Sequence, residues 1–479
     1  MSSPFRSGPD AVPWQDSCWI AAGAFLAWFT CRREAWHGID MAELLTRYVR
    51  EGGGDHPYYT FFVPLLKAAH GVVALFGAGV FQAALLLSAL GSAIGVLCTH
   101  LAARTLGMDR GSCAFAALLV ATMPAVVYFA VIVEVHGIVL AASGVAWLLI
   151  ARWARRPAVA RAFAAGVGLA AAFLAHPVAG ALGGVMWPLS QIVRPEVRWR
   201  QRLVGGGIAS LPLLLVVGSW LLRRSSGPRP EEDALDRLTK FWHQDRFGLH
   251  ASAVREWLVP FLPTSVLLLA GLFVRGWFRA VAAMWLATLP FVVAGWSVLV
   301  VGTWECGAYC AVVSGPSAIV VAAFCRPAWL RAGVVAAGLI GTAVVFDGLQ
   351  PTREALATDA AVRAALGPRR ALWVVGDGAG PDGQAWLTRH HWLPGVVLAD
   401  ILAAEPAVQA AGLRAIDRAI ASHAAAGEPT IVTSTTVASL TAFAQGFGGA
   451  KTMLEWLSRR TGEVLAEADG VQVFAVRAP

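Results

Sequence analysis

The chain has 479 residues, of which 57% are apolar and 14% charged, with a formal net charge of +8. Soluble domains lie nearer to about 45–50% apolar and 25% charged, so composition excludes an ordinary water-soluble fold. The positive excess does not point to nucleic acid, because the basic residues sit in short segments between apolar runs and form neither a stripe nor a tail.

Taken in chain order, the apolar runs predict spans near 17–31, 80–103, 112–130, 134–152, 158–175, 178–193, 203–222, 255–274, 279–302, 306–325 and 328–348. A spanning helix needs about 20 mainly apolar residues, which gives a polytopic helical bundle of about ten or eleven spans. The count depends on the short pair 158–175 and 178–193, hinged at His176-Pro177. Residues 60–79 are a further apolar stretch, either lying along the interface or extending the second span. No cleavable signal is expected, since Pro4, Asp10, Pro13 and Asp16 interrupt the first 16 residues and no small-residue cleavage site follows. Pro124, Pro212 and Pro290 mark kinks within the spans. Seven cysteines without CxxC or metal-ligand spacing are read as small core residues.

Loop arginines set the orientation. Arg104 and Arg110, Arg152 to Arg161, Arg194 to Arg202, Arg275 and Arg279, and Arg326 and Arg331 occupy alternate loops, so all five face the cytoplasm together. Residues 32–60, 131–136, the neighbourhood of His176, 223–254 and 303–308 then face outward. Arg32 and Arg33 depart from the rule, in a loop that also carries Glu34, Asp40, Glu43, Glu51 and Asp55.

After Gln350 the pattern changes. Short β-like runs at Ala371–Val375, Gly395–Leu398, Thr430–Thr433 and Val471–Val476 alternate with helical stretches near 354–366, 404–424 and 449–468. This predicts a membrane domain over 1–349 and a small soluble α/β domain over 350–479, outside the cytoplasm if the N-terminus is inside and the span number odd. The glycine-rich turn from Gly376 to Gly380 reads as a strand-to-helix turn rather than a phosphate site.

The ionisable residues outside the arginine loops gather on the outward side. They are Asp40 and Glu43, His56 with Tyr59, Glu134 with His136, His176, and Glu305. Asp40 and Glu43 also suit the solvated face of an amphipathic helix, and His56-Pro57 also suits a plain turn. Glu134 is harder to treat as structural: it interrupts an apolar run, and an acid within hydrocarbon costs roughly 2.5–3.5 kcal/mol on insertion scales.

The order Asp40-x-x-Glu43, His56-Pro57-x-Tyr59, Glu134-Val135-His136 leading to Trp147 and Trp153, then His176-Pro177, resembles the bacterial transmembrane proteins akin to protein O-mannosyltransferases. These are of the GT-C class of polytopic glycosyltransferases. The resemblance covers the first 200 residues or so, with Trp304-Glu305 as a later echo. It implies a GT-C-like fold in the inner membrane and inverting transfer of a sugar, mannose in the family, from a polyprenyl-phosphate carrier. The acceptor is a protein or glycan outside the cytoplasm. It assigns Asp40 as the base that takes the acceptor proton, Glu43 as its support, and His56, Tyr59, Glu134, His136, His176 and Glu305 to substrate binding. No cofactor is implied, and a divalent cation is left open. Two other classes stay in play: a transporter or lipid flippase, which would place charges at mid-bilayer and show repeated halves, and a non-catalytic membrane scaffold, which leaves the one-sided acids and imidazoles unexplained.

Overall fold

A computed structural model describes residues 14–32, 61–182, 197–224, 262–271, 273, 311–348, 351–376, 380–387, 394–398, 406–444 and 448–479. The described residues fall into two compact units, one holding the helices up to Gly348 and the other following from Leu349.

The first unit is helical. Its elements are α1 (Trp14–Thr30), α2 (Phe62–Ala74), α3 (Val80–Thr105), α4 (Arg110–Ala121), α5 (Pro124–Val131), α6 (His136–Arg155), α7 (Val159–Ala175), a 3-10 turn over Pro177–Leu182, α8 (Trp199–Arg224), α9 (Thr264–Gly271), α10 (Ser314–Phe324) and α11 (Ala328–Gly348). Among the described residues, α3, α6, α8 and α11 are each long and apolar enough to cross a bilayer, and α4 with α5 makes a fifth crossing bent by 60°. The protein is a multi-pass membrane protein. The span expected at 279–302, most of that at 178–193 and part of that at 255–274 lie outside the described residues.

Local chemistry sets the element ends. Helix α2 gives way to Gly77, whose φ of +73° few other residues tolerate, so residues 60–79 do not extend α3. Gly107, at φ +85°, closes α3, and the Asp109 carboxylate accepts the Ser112 N–H at 2.9 Å to open α4. The run expected to span at 112–130 is bent within its crossing. Pro124 has no N–H to give back to the preceding turn, and the helix breaks there.

Helices in lipid gain no hydrophobic energy by meeting one another, so close backbone approach and dispersion hold them together. The α3–α6 pair shows this. A Cβ on Gly91 would run into the Gly137 carbonyl, one on Gly95 would stand 3.2 Å from the Leu140 carbonyl oxygen, and Gly144 packs on Gly95 and Cys98. The order of these contacts shows that α3 and α6 run parallel. Arg104 and Arg152 therefore share one end of the bundle, and Glu134 and His136 lie at the other. Helix α7 turns back along α6, with Gly168 against Ala146, and α8 continues the layer with Gly205 against the Trp153 indole. At the arginine-rich end, the Arg331 guanidinium on α11 donates to the Ser112 hydroxyl and the Cys325 carbonyl, both at 2.6 Å.

The cysteine expectation holds in part. Cys98, Cys113 and Cys325 are buried, but Cys18 and Cys31 are exposed, because α1 turns only Ser17, Ala21 and Trp28 inward. Cys306 and Cys310 lie outside the described residues.

The second unit is an α/β layer: α12 (Arg353–Leu366), β1 (Leu372–Val375), α13 (Pro381–Leu387), β2 (Gly395–Val397), α14 (Pro406–Ala425), β3 (Thr430–Thr433), α15 (Ser434–Ala444), α16 (Gly448–Ser458), β4 (Thr461–Ala468) and β5 (Val471–Val476). The sheet order is β2-β1-β3-β5-β4, parallel across β2, β1 and β3 and antiparallel beyond. Leu372, Val374, Val432, Ile416, Ile420, Leu440, Met453 and Trp456 form its core. The helix expected over 449–468 ends at Ser458, and Thr461–Ala468 is a strand. Asp469 and Gly470, at φ 49° and 80°, make the tight hairpin turn that pairs β4 with β5, and this pairing overrides the helix propensity of Ala, Glu and Leu.

Candidate functional site

The site begins at the break between α5 and α6. After Val131 the chain extends, with Ile132 at φ −113°, ψ 168°, and the helix resumes at His136. The first N–H groups of a helix have no partner within it. Here the chain supplies partners from nearby side chains. The Val135 N–H donates to Glu134 Oε2 at 2.7 Å, and the Glu134 N–H donates to the Ser88 hydroxyl at 3.1 Å. The same hydroxyl donates to the Glu134 carbonyl at 2.9 Å, so Ser88 on α3 holds the Glu134 main chain from both sides.

Glu134 Oε2 also lies 3.1 Å from Nδ1 of His136. An N–H at Nδ1 can donate to this oxygen, an arrangement that leaves Nε2 to meet a further group. Both side chains keep 14% of their surface exposed, which separates them from the sealed core around them. Phe129 lies against the His136 ring at 4.5 Å between centroids, with Tyr128 edge-on to Phe129.

His176 arrives from the far end of α7. It is the cap residue of that helix, held extended at φ −162°, ψ 130° before Pro177, which disfavours helix at the residue ahead of it. Its ring lies 5.9 Å from that of His136. Glu134, His136 and His176 thus converge from two helix ends 40 residues apart in sequence, at the end of the bundle away from Arg104 and Arg152.

Asp40, Glu43, His56, Tyr59 and Glu305 lie outside the described residues. Ser88 and Phe129 were not anticipated. A signal for Ser88 exists in the small-residue face Ser88, Gly91, Ser92, Gly95, which marks where another helix comes close. Phe129 carries no signal, since it reads as one more apolar residue in an apolar run. Among the described residues no group of three or more His, Cys, Asp or Glu side chains is placed to hold a metal ion.

In the second unit, buried Asp382 accepts from the Gly376 N–H, from Thr436 Oγ1 at 2.9 Å and from Ser439 Oγ at 3.4 Å. Burial pushes its carboxyl above the usual carboxylate range, against the opposing pull of these hydrogen bonds. The cluster ties the carboxyl end of β1 to α15 and is saturated by its own partners, so it reads as a structural knot. Residues 377–379 of the glycine-rich turn lie outside the described residues.

No family model matches the sequence, and no curated protein matches it either. Solved structures do share its fold. ArnT from Cupriavidus metallidurans bound to undecaprenyl phosphate is 16% identical with a TM-score of 0.56, covering 96% of this chain and 98% of that one. The apo structure of the same protein gives the same values. The fold is therefore GT-C-like, a membrane helical bundle with a small C-terminal sheet region, as in ArnT.

Proposed function

We propose that this chain is a GT-C glycosyltransferase of the inner membrane that moves a sugar from a polyprenyl-phosphate carrier to an acceptor outside the cytoplasm. The observation that carries the reading is the meeting of Glu134, His136 and His176 at one end of a bundle whose fold is shared with a protein bound to undecaprenyl phosphate. A transporter is less well supported, because these groups sit at the ends of α6 and α7 and the sequence shows no repeated halves.

In the proposed reaction, Asp40 takes the proton of an acceptor hydroxyl as its oxygen bonds to the anomeric carbon, with Glu43 holding Asp40 or the acceptor. The bond from that carbon to the phosphate oxygen breaks, and the electron pair leaves with the polyprenyl phosphate. The charge developing there needs donors already in place. His136, with Nδ1 fixed by Glu134, presents Nε2 for that purpose, His176 stands beside it, and His56, Tyr59 and Glu305 complete the proposed binding set. The donor sugar is mannose on the family resemblance, the acceptor is a protein or glycan, and residues 350–479 lie on the outer side as an acceptor-binding or partner-binding domain. Mass spectrometry of surface glycans and glycoproteins from cells with and without the protein tests this. The reading expects one glycan class to lose a single sugar, and unchanged glycans would refute it.

A further inference from the structure

We infer that Ser88 is a positioning residue for the Glu134–His136 pair, setting from α3 the direction in which His136 presents its second ring nitrogen to a lipid phosphate. This rests on the glycosyltransferase reading and identifies which part of the bundle orients the phosphate-facing histidine.

Ser88 meets the α5–α6 segment in three ways. Ser88 is wholly buried, and its hydroxyl donates to the Glu134 carbonyl and accepts from the Glu134 N–H. The Ser88 main chain also forms the surface against which Gly137 packs, because a Cβ on Gly137 would collide with the Ser88 carbonyl. Residues 134 and 137 flank His136, so α3 grips the chain on both sides of that histidine. Between the two grips the Glu134 carboxylate closes on the Val135 N–H and on Nδ1 of His136. With the Glu134 main chain fixed and its Oε2 held by the Val135 N–H, the carboxylate is placed to accept a hydrogen bond from Nδ1–H, which favours that tautomer. Without the hydroxyl, the Glu134 N–H and C=O lose their buried partner, and the segment between α5 and α6 is released to seek others.

The neighbouring serine makes the contrast. Ser92 lies one turn along α3 and is equally buried, but its hydroxyl has no hydrogen-bond partner among the described residues. A merely packed serine would behave like Ser92.

The test uses the full chain in detergent micelles, with undecaprenyl phosphate as the probe. Ser88→Ala should weaken binding roughly tenfold, the scale of one charge-assisted hydrogen bond put out of place. Ser88→Thr, which keeps the hydroxyl, should restore most of it, and Ser92→Ala should change nothing. Because Ser88 acts through Glu134, adding Ser88→Ala to Glu134→Gln should weaken binding no further than Glu134→Gln alone. If Ser88→Ala does not fold, Ser88→Cys retains the volume with a much weaker hydrogen-bonding group. Wild-type affinity in the folded Ser88 variant, or losses that multiply in the double variant, would overturn the inference. Failure of the wild-type protein to bind undecaprenyl phosphate would count against the glycosyltransferase reading instead. In that event nitrogen NMR of His136 still decides: Ser88→Ala should move the ring from the Nδ1–H form towards a mixture of tautomers, and an unchanged ring would reject the role of Ser88.

Discussion

The Ser88 carbonyl occupies the space that a side chain on Gly137 would need, so α3 and α6 meet main chain to main chain beside Glu134. A tight contact of the two helices and the candidate site are one place in the fold. Packing there sets chemistry directly, and substitutions at the contact should report on both.

Gly137→Ala should therefore lower stability by about 1–3 kcal/mol, the usual cost of overpacking a tight contact, and displace Glu134 as well. Gly333→Ala on α11 is the matched control, since nothing lies within 4 Å of the added carbon. Thermal unfolding in detergent, followed by tryptophan fluorescence, should show a lowered midpoint for the first and an unchanged or raised one for the second.

Glu134→Gln keeps an oxygen to accept the Val135 N–H but removes the charge beside His136. Binding of undecaprenyl phosphate should fall roughly tenfold while the unfolding midpoint stays near that of wild type, as expected for a lost charged hydrogen bond in an otherwise intact site. A large loss of stability with unchanged binding would mean that Glu134 serves α6 as a cap and nothing more.

At the other end of the bundle, Asp109→Ala should cost about 1 kcal/mol through loss of the α4 cap, without affecting lipid binding. Single cysteines at 104 and at 134 should react with impermeant reagents from opposite sides of the membrane, because parallel α3 and α6 place those positions at opposite ends.

Asp382 gives a pH prediction for the second unit. Its carboxyl sits above the usual range in the folded state, so folding favours the protonated form. That contribution is fully present below the ordinary carboxylate value and is lost as pH rises through the raised folded value. Hydrogen exchange at β1 should speed up across this window in the wild-type chain. Asp382→Asn, which can still accept from Gly376 and Thr436, should flatten the dependence, whereas Asp382→Ala should loosen β1 at every pH.

Much of this architecture was legible because the bilayer constrains sequence so strongly. The bare stretches that became α3, α6 and α11 and the breaking effect of Pro124 followed from apolar length and from backbone groups that must be satisfied within the helix. Four strands of the second unit also read directly. The fifth, Thr461–Ala468, did not, since its Ala, Glu and Leu content suits a helix and only the two-residue Asp469-Gly470 turn marks the hairpin. Helices α13 and α15 are not legible because α13 is only seven residues long and opens with Pro-Asp-Gly, while the Ser-Thr-Thr start of α15 reads as the end of a strand. In the site, Glu134, His136 and His176 stood out as ionisable residues at the edges of apolar runs. Ser88 did not, because a small hydroxyl in an apolar helix looks like packing until the chain 46 residues away is seen to close on it.

The most direct test is to incubate the reconstituted full chain with undecaprenyl-phosphate sugars and an acceptor-containing membrane extract, and to follow free undecaprenyl phosphate by mass spectrometry. Wild-type protein should release it in step with sugar transfer, and Asp40→Asn should insert normally but release none. Release at the wild-type rate by Asp40→Asn would contradict the assigned base, and no release from any such donor by the wild-type chain would contradict the function itself.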